Sequence, residues 1–286
     1  MRRFLFAVLL VACSKPHGAS TSTASRIVSL SPSTTETVYV VGAGDRLVGR
    51  SRYCDWPKRV EKLPQVGGYV DPSYEAILAL RPDLVVGARG PAGSSMTERL
   101  ETRGIVTFFP PTESFAQIDD MILGIGERTD RKDAARAFVD DLHAKIASVE
   151  NATAKLPTVR VLLVFGLEPL SVAGPGSFPD EMLKRIRGTN VVDAGGGYPT
   201  IGIERVLALD PDLVIDAAMG ETNTVERMGK NAPGWGRVRA IQQGRFVTIS
   251  DESVLRPGPR IAEGLARLAH TVHPEASIPS VTLAPP

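Results

Sequence analysis

The chain has 286 residues, of which 43% are hydrophobic and 23% are charged, a composition typical of a globular protein with one large or two medium domains. The formal net charge is +1 at pH 7, from 33 basic and 32 acidic residues. No basic block departs from this balance, so the sequence gives no electrostatic basis for binding nucleic acid.

The N-terminal segment differs in composition from the rest of the chain. A short positive head, Met1–Arg3, precedes an unbroken apolar run, Phe4–Val11. That run is too short to span a bilayer, which needs about 20 residues, but has the length of the apolar region of a secretory signal peptide. It ends in Leu-Val-Ala-Cys, which resembles a bacterial lipobox. We therefore expect residues 1–12 to be a signal peptide and Cys13 to carry a lipid. The alternative is a plain signal peptide cleaved near Ala12.

The next segment, residues 13–25, predicts a lipidated N-terminus followed by a flexible tether. It is rich in Ser, Thr, Gly and Ala and has no periodic apolar pattern. If Cys13 is lipidated, Cys54 is the remaining thiol, and no internal disulfide is expected.

Residues 26–128 alternate strand and helix patterns, which predict an N-terminal lobe. "RIVSL" predicts a strand, "SPSTTETVYVVGAG" a helix that its glycines end, and "RLVGRS" a second strand. Asp71 is predicted to cap the next helix, with Pro72 as its first residue, and Pro82 to end it before a buried strand at Asp83–Gly87. "MTERLETRGIVTFF" predicts another helix and strand.

A second lobe is predicted over residues 157–286, because the same order of elements restarts there. "RVLLVFG", "NVVDA" and "RFVTIS" predict strands, and "FPDEMLKRIRG" and "WGRVRAIQQG" predict helices. Strands that alternate with helices favour parallel sheets with helices on both faces. The predicted fold is therefore α/β, with two pseudo-symmetric lobes.

A long helical pattern, residues 129–156, lies between the lobes and contains neither Gly nor Pro. Phe138, Leu142, Ile146 and Val149 form one apolar stripe at helical spacing. We predict a single backbone helix that links the lobes and permits only small movements between them.

One stretch occurs twice in the chain. "YEAILALRPDLVV" (74–86) returns as "IERVLALDPDLVI" (203–215), with Glu75 and Glu204 at matching positions. A Glu in the first turn of a helix interacts favourably with the helix dipole, by about 0.3–1 kcal/mol. This effect on helix stability would explain the presence of either Glu alone, but it explains less well why a Glu occurs at the matching position of both stretches.

Taken in order, these patterns resemble a known family. "RIVSLSPSTTE", "SRYCDWP", "VGGYVDPSYEAILALRPDLVV", "PGWGRVRAIQQGRFVTI" and "RPGPRIAEGL" resemble segments of the helical-backbone class of ABC-transporter substrate-binding proteins, which serve iron-siderophores, haem and cobalamin. Within that class the chain is most similar to the cobalamin-binding proteins. The resemblance spans Arg26–His273.

This resemblance implies a lipid-anchored receptor of the periplasm or cell envelope. Such a receptor captures cobalamin or a related corrinoid in the cleft between its lobes and delivers it to an ABC permease dimer with its ATPase. Each lobe in this class carries an acidic residue that contacts arginines of one permease subunit, and Glu75 and Glu204 match those residues. We expect a monomer that has no catalytic cofactor.

The resemblance also implies the residues that contact the ligand. Tyr53 in "SRYCDWP" matches the ligand-contacting tyrosine of the family, and Tyr69 lies where the cobalamin receptors have a large aromatic residue. Phe165 is the counterpart of these aromatics in the second lobe. Asp251 and Arg256 match a polar loop near the ligand, although "DESVLR" is one residue longer than the family pattern. For each aromatic residue the alternative is an ordinary core position.

A ferric siderophore or haem is the alternative ligand within the same class. Arg50, Arg52 and Arg89 could meet an anionic siderophore, and Tyr53 or Tyr69 could ligate haem iron. No histidine lies in a segment expected to face the cleft, which argues against a receptor for free zinc or manganese.

An enzyme is not expected from this sequence. It contains no G-x-x-x-x-G-K-[ST] phosphate loop, no H-E-x-x-H, no C-x-x-C and no G-x-S-x-G motif. Cys54, next to Tyr53, carries a soft donor atom that cobalt accepts, but a small buried apolar residue is the favoured interpretation.

Overall fold

The computed structural model describes residues 23–68, 70–89, 93–218 and 223–283. The predicted signal peptide, Cys13 and Tyr69 lie outside the described residues. The strands are β1 (Ile27–Ser29), β2 (Leu47–Arg50), β3 (Leu84–Val86), β4 (Val106–Phe108), β5 (Val159–Leu167), β6 (Leu170–Val172), β7 (Gly188–Asn190), β8 (Leu213–Asp216) and β9 (Phe246–Thr248). The helices are α1 (Pro32–Val40), α2 (Tyr74–Ala79), α3 (Gly93–Glu101), α4 (Phe115–Arg128), α5 (Lys132–Thr153), α6 (Phe178–Arg185), α7 (Ile203–Leu209), α8 (Thr224–Arg227), α9 (Arg239–Gln242) and α10 (Ile261–Val272).

The strands form two sheets, one in each lobe, which confirms the predicted two-lobed α/β fold. The first sheet has the order β2-β1-β3-β4, and all its pairs are parallel. The second has the order β6-β5-β8-β9, with β7 also paired to β5. Strand β6 is antiparallel to β5, contrary to the expectation of purely parallel sheets. The two are joined by a short turn, a connection that only antiparallel neighbours can make.

One apolar core runs through both lobes. Alternate residues of a strand point to opposite faces of its sheet. Ile27 in the first sheet and Leu163 in the second are fully buried in a common central cluster, whereas the neighbouring Val28 and Leu162 lie in outer clusters. The inner faces of the two sheets therefore share their core, and each outer face has a core of its own.

Helix α5 lies in the middle of this central core. Its residues Leu142, Ile146 and Val149 are buried, and Phe138 is half-buried against them. The helix packs against α4 on one side and α10 on the other. It is shorter than the predicted span of residues 129–156. Its start is delayed because Asp130 has a left-handed φ of 54°, which separates α5 from the end of α4.

Two predicted boundaries of secondary-structure elements were wrong, one at the start of α2 and one at the strand that follows α6. The cap of α2 is Ser73 rather than Asp71, because the Ser73 hydroxyl accepts a hydrogen bond from the amide of Ala76. The strand predicted at "NVVDA" is β7, which lies earlier and ends at Asn190. The Asn190 side chain accepts a hydrogen bond from the amide of Val192 and so turns the chain away from the sheet.

The helix predicted at "WGRVRAIQQG" is divided into two short pieces. A 3-10 helix at Trp235–Arg237 is followed by Val238 in an extended conformation, and α9 begins after it. Both pieces bury apolar side chains, Trp235 and Ile241, in the outer core of the second lobe. The apolar periodicity that predicted one helix therefore reflects burial on one side of a broken segment.

The Asp of the repeated Pro-Asp pair links two neighbouring strands of the sheet in each lobe. The carboxylate of Asp83 accepts a hydrogen bond of 2.9 Å from the amide of Arg26 at the start of β1. In the second lobe the carboxylate of Asp212 accepts one of 3.1 Å from the amide of Arg160 in β5. The Asp of each Pro-Asp pair thus ties the incoming strand to the neighbouring central strand.

The end of the repeated helix is also equivalent in the two lobes. The side chain of Arg26 donates a hydrogen bond of 2.7 Å to the carbonyl of Leu80. In the second lobe the side chain of Arg160 donates one of 2.6 Å to the carbonyl of Leu209. The residues that follow, Arg81 and Asp210, both have a left-handed φ, of 47° and 42°. Most of the shared residues are therefore explained by the fold.

Candidate functional site

A candidate site is a cleft of about 650 Å³ between the two lobes. Its volume lies within the usual range for a pocket that binds a small molecule. The first lobe contributes the loop after β2, and the second contributes the segment between β9 and α10, so the cleft lies where the carboxyl ends of parallel strands meet. The lining residues are Arg52, Tyr53, Asp55, Trp56, Ser250, Asp251, Arg256 and Arg260.

Arg50 organises the loop that carries Tyr53. Its guanidinium is buried and donates hydrogen bonds to the backbone carbonyls of Ser51, Arg52 and Glu61. Arg50 therefore holds the loop from beneath and is not a cleft-facing cation. The Tyr53 side chain is left 51% exposed at the cleft surface.

The remaining lining residues of this loop have distinct environments. Arg52 forms an ion pair of 2.7 Å with Asp71, and its guanidinium lies 5.8 Å from the centre of the Tyr53 ring. Trp56 is half-buried and packs against the central core. Cys54 is buried, as predicted, and burial raises the pKa of its thiol, which keeps the thiol protonated and apolar.

Three charged residues meet behind the cleft wall. Glu36, on α1, is 1% exposed and accepts hydrogen bonds from two arginines of the second lobe. Arg260 binds it with Nε at 3.0 Å and Nη2 at 2.7 Å, and Arg256 binds it with Nη1 at 2.9 Å. Arg256 also lies 3.3 Å from Asp55. Arg256 was predicted from the sequence to contact the ligand, whereas no role was predicted for Glu36 or Arg260.

Asp251, which was predicted to contact the ligand, lines the cleft on its second-lobe side. Its carboxylate pairs with Arg267 of α10. That contact fixes the carboxylate from behind while leaving the residue exposed to the cleft.

A second aromatic surface follows β5. The ring of Phe165 packs edge-on against Tyr198, with 5.6 Å between ring centres. Tyr198 is 52% exposed, and partial burial of its phenol, together with the negative charge of Glu113, raises the pKa of Tyr198 to about 12. Neither Phe165, which was predicted to contact the ligand, nor Tyr198 is among the residues that line the cleft. Tyr198 was missed in the sequence analysis, although its position after three glycines is a signal of an exposed loop.

The two repeated glutamates lie outside the cleft. Glu75 and Glu204 are exposed, and each falls in the first turn of its helix, α2 or α7. Each helix runs antiparallel to the strand that follows it, so its first turn lies at the carboxyl edge of its sheet. Neither carboxylate forms an ion pair with any residue that the structure describes.

The described residues hold no cluster of His, Cys, Asp or Glu side chains arranged to bind a metal ion. Within the same part of the chain, no helix combines the length and the hydropathy needed to cross a membrane.

Comparison with known proteins agrees with this architecture. A family model described as periplasmic binding protein matches residues 27–252, which include both sheets and all the lining residues of the cleft except Arg256 and Arg260. The chain belongs to the periplasmic binding protein family. Members of this family bind solutes rather than transform them, which confirms the interpretation that the chain is not an enzyme.

Relatives of this periplasmic binding protein belong to the class that serves ABC transporters. A vitamin B12-binding protein of Photorhabdus laumondii is 27% identical over 88% of this chain and 89% of its own length. An uncharacterised ABC transporter substrate-binding lipoprotein of Bacillus subtilis is 27% identical over 87% of this chain and 80% of its own length. A periplasmic heme-binding protein of Pseudomonas aeruginosa is 28% identical, covers 90% of this chain and 96% of its own, and has a TM-score of 0.77.

These similarities define a substrate-binding protein of an ABC transporter, with a small-molecule ligand and a permease as partners. They place it in the class that includes vitamin B12 and haem receptors.

The periplasmic binding protein should show an unusual alkaline titration at Tyr198. A pKa raised from 10.0 to about 12 means that the folded state holds the phenol proton more tightly than the unfolded state does. This contribution to stability is therefore complete below pH 10 and is lost as the pH rises towards 12. We expect the phenolate absorbance attributable to Tyr198, taken as the difference between wild type and Tyr198→Phe after a rapid pH jump, to follow that pKa. Glu113→Gln should lower it, and a normal pKa unchanged by Glu113→Gln would contradict the described geometry.

Proposed function

We propose that the cleft captures cobalamin or a related corrinoid and delivers it to an ABC importer. The observation that carries this proposal is the charge balance of the cleft. Arg52 pairs with Asp71, and Arg256 and Arg260 both pair with Glu36. The cleft thus presents hydrogen-bonding groups whose charges are matched by neighbouring carboxylates.

A corrinoid fits such a surface. It is a flat macrocycle edged by amides, and it needs aromatic faces and scattered polar groups more than it needs charge. Tyr53 offers an exposed ring on the first lobe, and Phe165 with Tyr198 offers an aromatic pair on the second. Asp251 and Ser250 supply polar groups to the lining of the cleft. An anionic siderophore would instead require arginines that lack carboxylate partners.

Haem is the second candidate ligand, and a specific observation favours it. The exposed phenol of Tyr53 could ligate iron, and a heme-binding protein is among the similar solved structures. The two ligands make different demands on the same residue, because a corrinoid uses the ring of Tyr53 whereas ligated haem uses its oxygen.

Substitutions of Tyr53 distinguish a corrinoid from haem as the ligand. Tyr53→Ala should weaken binding of cyanocobalamin by about 1–3 kcal/mol, through loss of an aromatic contact at the centre of the site. Tyr53→Phe keeps the ring and should leave that affinity nearly unchanged, whereas it would remove an iron ligand and alter the haem spectrum. Tyr69→Ala, at a position outside the described residues, should act in the same direction as Tyr53→Ala. The measurement is calorimetric titration, with thermal unfolding as a check that each variant folds.

The corrinoid assignment fails if wild-type protein binds no cyanocobalamin and binds haemin tightly. The assignment of Tyr53 alone fails if wild-type protein binds cyanocobalamin and Tyr53→Ala binds it equally well.

We further propose that Glu75 and Glu204 dock the two lobes onto a two-fold permease. Asp83 and Asp212, which the repeated stretches share, tie neighbouring strands together inside the fold. The two glutamates are exposed and have no such role. Because each lies at the carboxyl edge of its sheet, the pseudo-symmetry of the lobes offers one carboxylate to each permease subunit. Opposite charges across such an interface also orient the encounter.

Charge reversal tests this docking surface. The double variant Glu75→Arg with Glu204→Arg should keep wild-type corrinoid affinity but lose uptake in vesicles that carry the permease, because like charges would then face each other. Each single variant should lose part of the uptake. A matched control, Asp140→Arg with Glu275→Arg, reverses two exposed acids elsewhere and should transport normally. Normal uptake by the docking double variant would show that the glutamates serve only the fold.

The lipid anchor is proposed from the sequence and from one relative. The lipobox-like sequence ending in Cys13 supports a lipidated N-terminus, and a relative from Bacillus subtilis is named as a lipoprotein. Cys13→Ser should move the protein from the membrane fraction to the released fraction of cells that express the full chain. Persistence of the variant in the membrane fraction would exclude anchoring through this cysteine.

A further inference from the structure

Glu36 occupies an unusual place in the molecule. It lies on α1 of the first lobe, yet both its partners, Arg256 and Arg260, belong to the second lobe and lie 220 and 224 residues away in sequence. The carboxylate is 1% exposed, and the two guanidiniums are 13% and 14% exposed. The arginines therefore reach the cleft with their outer edges, while the carboxylate is hidden behind them.

Stability alone does not account for this arrangement. Removing two or more charges from water is costly, and a buried ion pair often contributes no more stability than apolar residues of the same size. At this position an apolar cluster could continue the central core, which lies close by at Trp56. The chain instead has three buried or half-buried charges at the wall of its binding cleft.

The electrostatic effect of Glu36 on the cleft is direct. Burial disfavours the charge of Arg260, but the hydrogen bond and charge of Glu36, with smaller contributions from Glu263 and Asp55, raise its pKa overall. Arg260 therefore stays charged. Because Glu36 offsets one positive charge and Asp55, 3.3 Å from Arg256, offsets the other, a ligand meets guanidinium hydrogen-bond donors without a net positive field.

We propose that Glu36 is a specificity-determining residue that selects against anionic ligands. It keeps Arg256 and Arg260 in place as hydrogen-bond donors for neutral acceptors such as amide carbonyls, and it cancels the attraction that a carboxylate on the ligand would otherwise gain. This inference rests on the proposed function of the cleft as the site of a neutral ligand, and its test compares neutral and anionic probes so that it can fail independently of the corrinoid assignment.

The test uses pairs of probes that differ only in charge. Cyanocobalamin carries neutral peripheral amides, and mild acid hydrolysis converts one propionamide into a carboxylate, giving monocarboxylic acids of nearly the same shape. Haemin and its dimethyl ester form a second pair, in which the ester lacks the anionic groups. The measured quantity is the ratio of the dissociation constants of the neutral and anionic members, at low and at high salt.

Glu36→Gln preserves the shape of the side chain and removes its charge. We expect it to shift the ratio towards the anionic probe by about tenfold at low salt, because a guanidinium without a carboxylate partner can form a charge-assisted hydrogen bond with the ligand. Added salt should reduce the shift. The double variant Glu36→Gln with Arg260→Gln restores the original charge balance and should return the ratio towards the wild-type value. Glu275→Gln, an exposed acid outside the cleft, should leave the ratio unchanged.

Removal of one partner of a buried ion pair can prevent folding. Arg260→Gln alone therefore provides an independent test, because Glu36 keeps Arg256 as its partner while the cleft becomes more negative. This variant should shift the ratio away from the anionic probe. Unchanged ratios in folded Glu36→Gln and in Arg260→Gln would overturn the inference. The proposed corrinoid function would fail separately if wild-type protein bound neither cyanocobalamin nor its monocarboxylic acids. In that case haemin and its dimethyl ester would still test whether Glu36 disfavours anionic ligands.

Discussion

The continuous apolar core around helix α5 is the constraint on which the rest of the structure depends. The inner faces of both sheets bury their side chains in the same central cluster, so neither lobe has a complete inner core without the other. Separating the lobes would expose apolar surface at a cost of about 25 cal/mol for each square ångström. Helix α5 passes through this cluster and packs against both α4 and α10. The shared core therefore favours a single placement of the two lobes, with the cleft between them.

This arrangement places the functional groups at the edges of a rigid frame. The carboxyl ends of the strands of both sheets reach the gap between the lobes, where the loops that follow them are free to carry polar and aromatic residues. Tyr53 lines the cleft on the side of the first lobe, and Phe165 and Tyr198 form an aromatic pair in the second lobe. The ion cluster of Glu36 then joins the two walls directly. Its geometry can be maintained because the core fixes the distance that it spans.

The repeated stretch combines architecture with a surface feature. Asp83 and Asp212 tie strands together in the same way in each lobe, and Arg81 and Asp210 adopt the same left-handed turn. These roles explain why two halves of one chain share the residues around Pro-Asp. The exposed glutamates at the start of the same units have no internal role among the described residues. Equivalent placement on equivalent helices is what a two-fold partner would require.

The sequence by itself determined the alternation of strands and helices, the restart of that order and the apolar stripe of α5. All of these depend on local periodicity, turn residues or repetition, which can be seen within one segment of the chain. Only the tertiary structure decided the partners of Glu36, the antiparallel β6 and the approach of Tyr198 to Glu113. Those contacts join segments distant in sequence, and no local pattern specifies which distant side chain will lie within hydrogen-bonding range. A Glu in the first helix looks like an ordinary helical residue until the fold brings Arg256 and Arg260 to it.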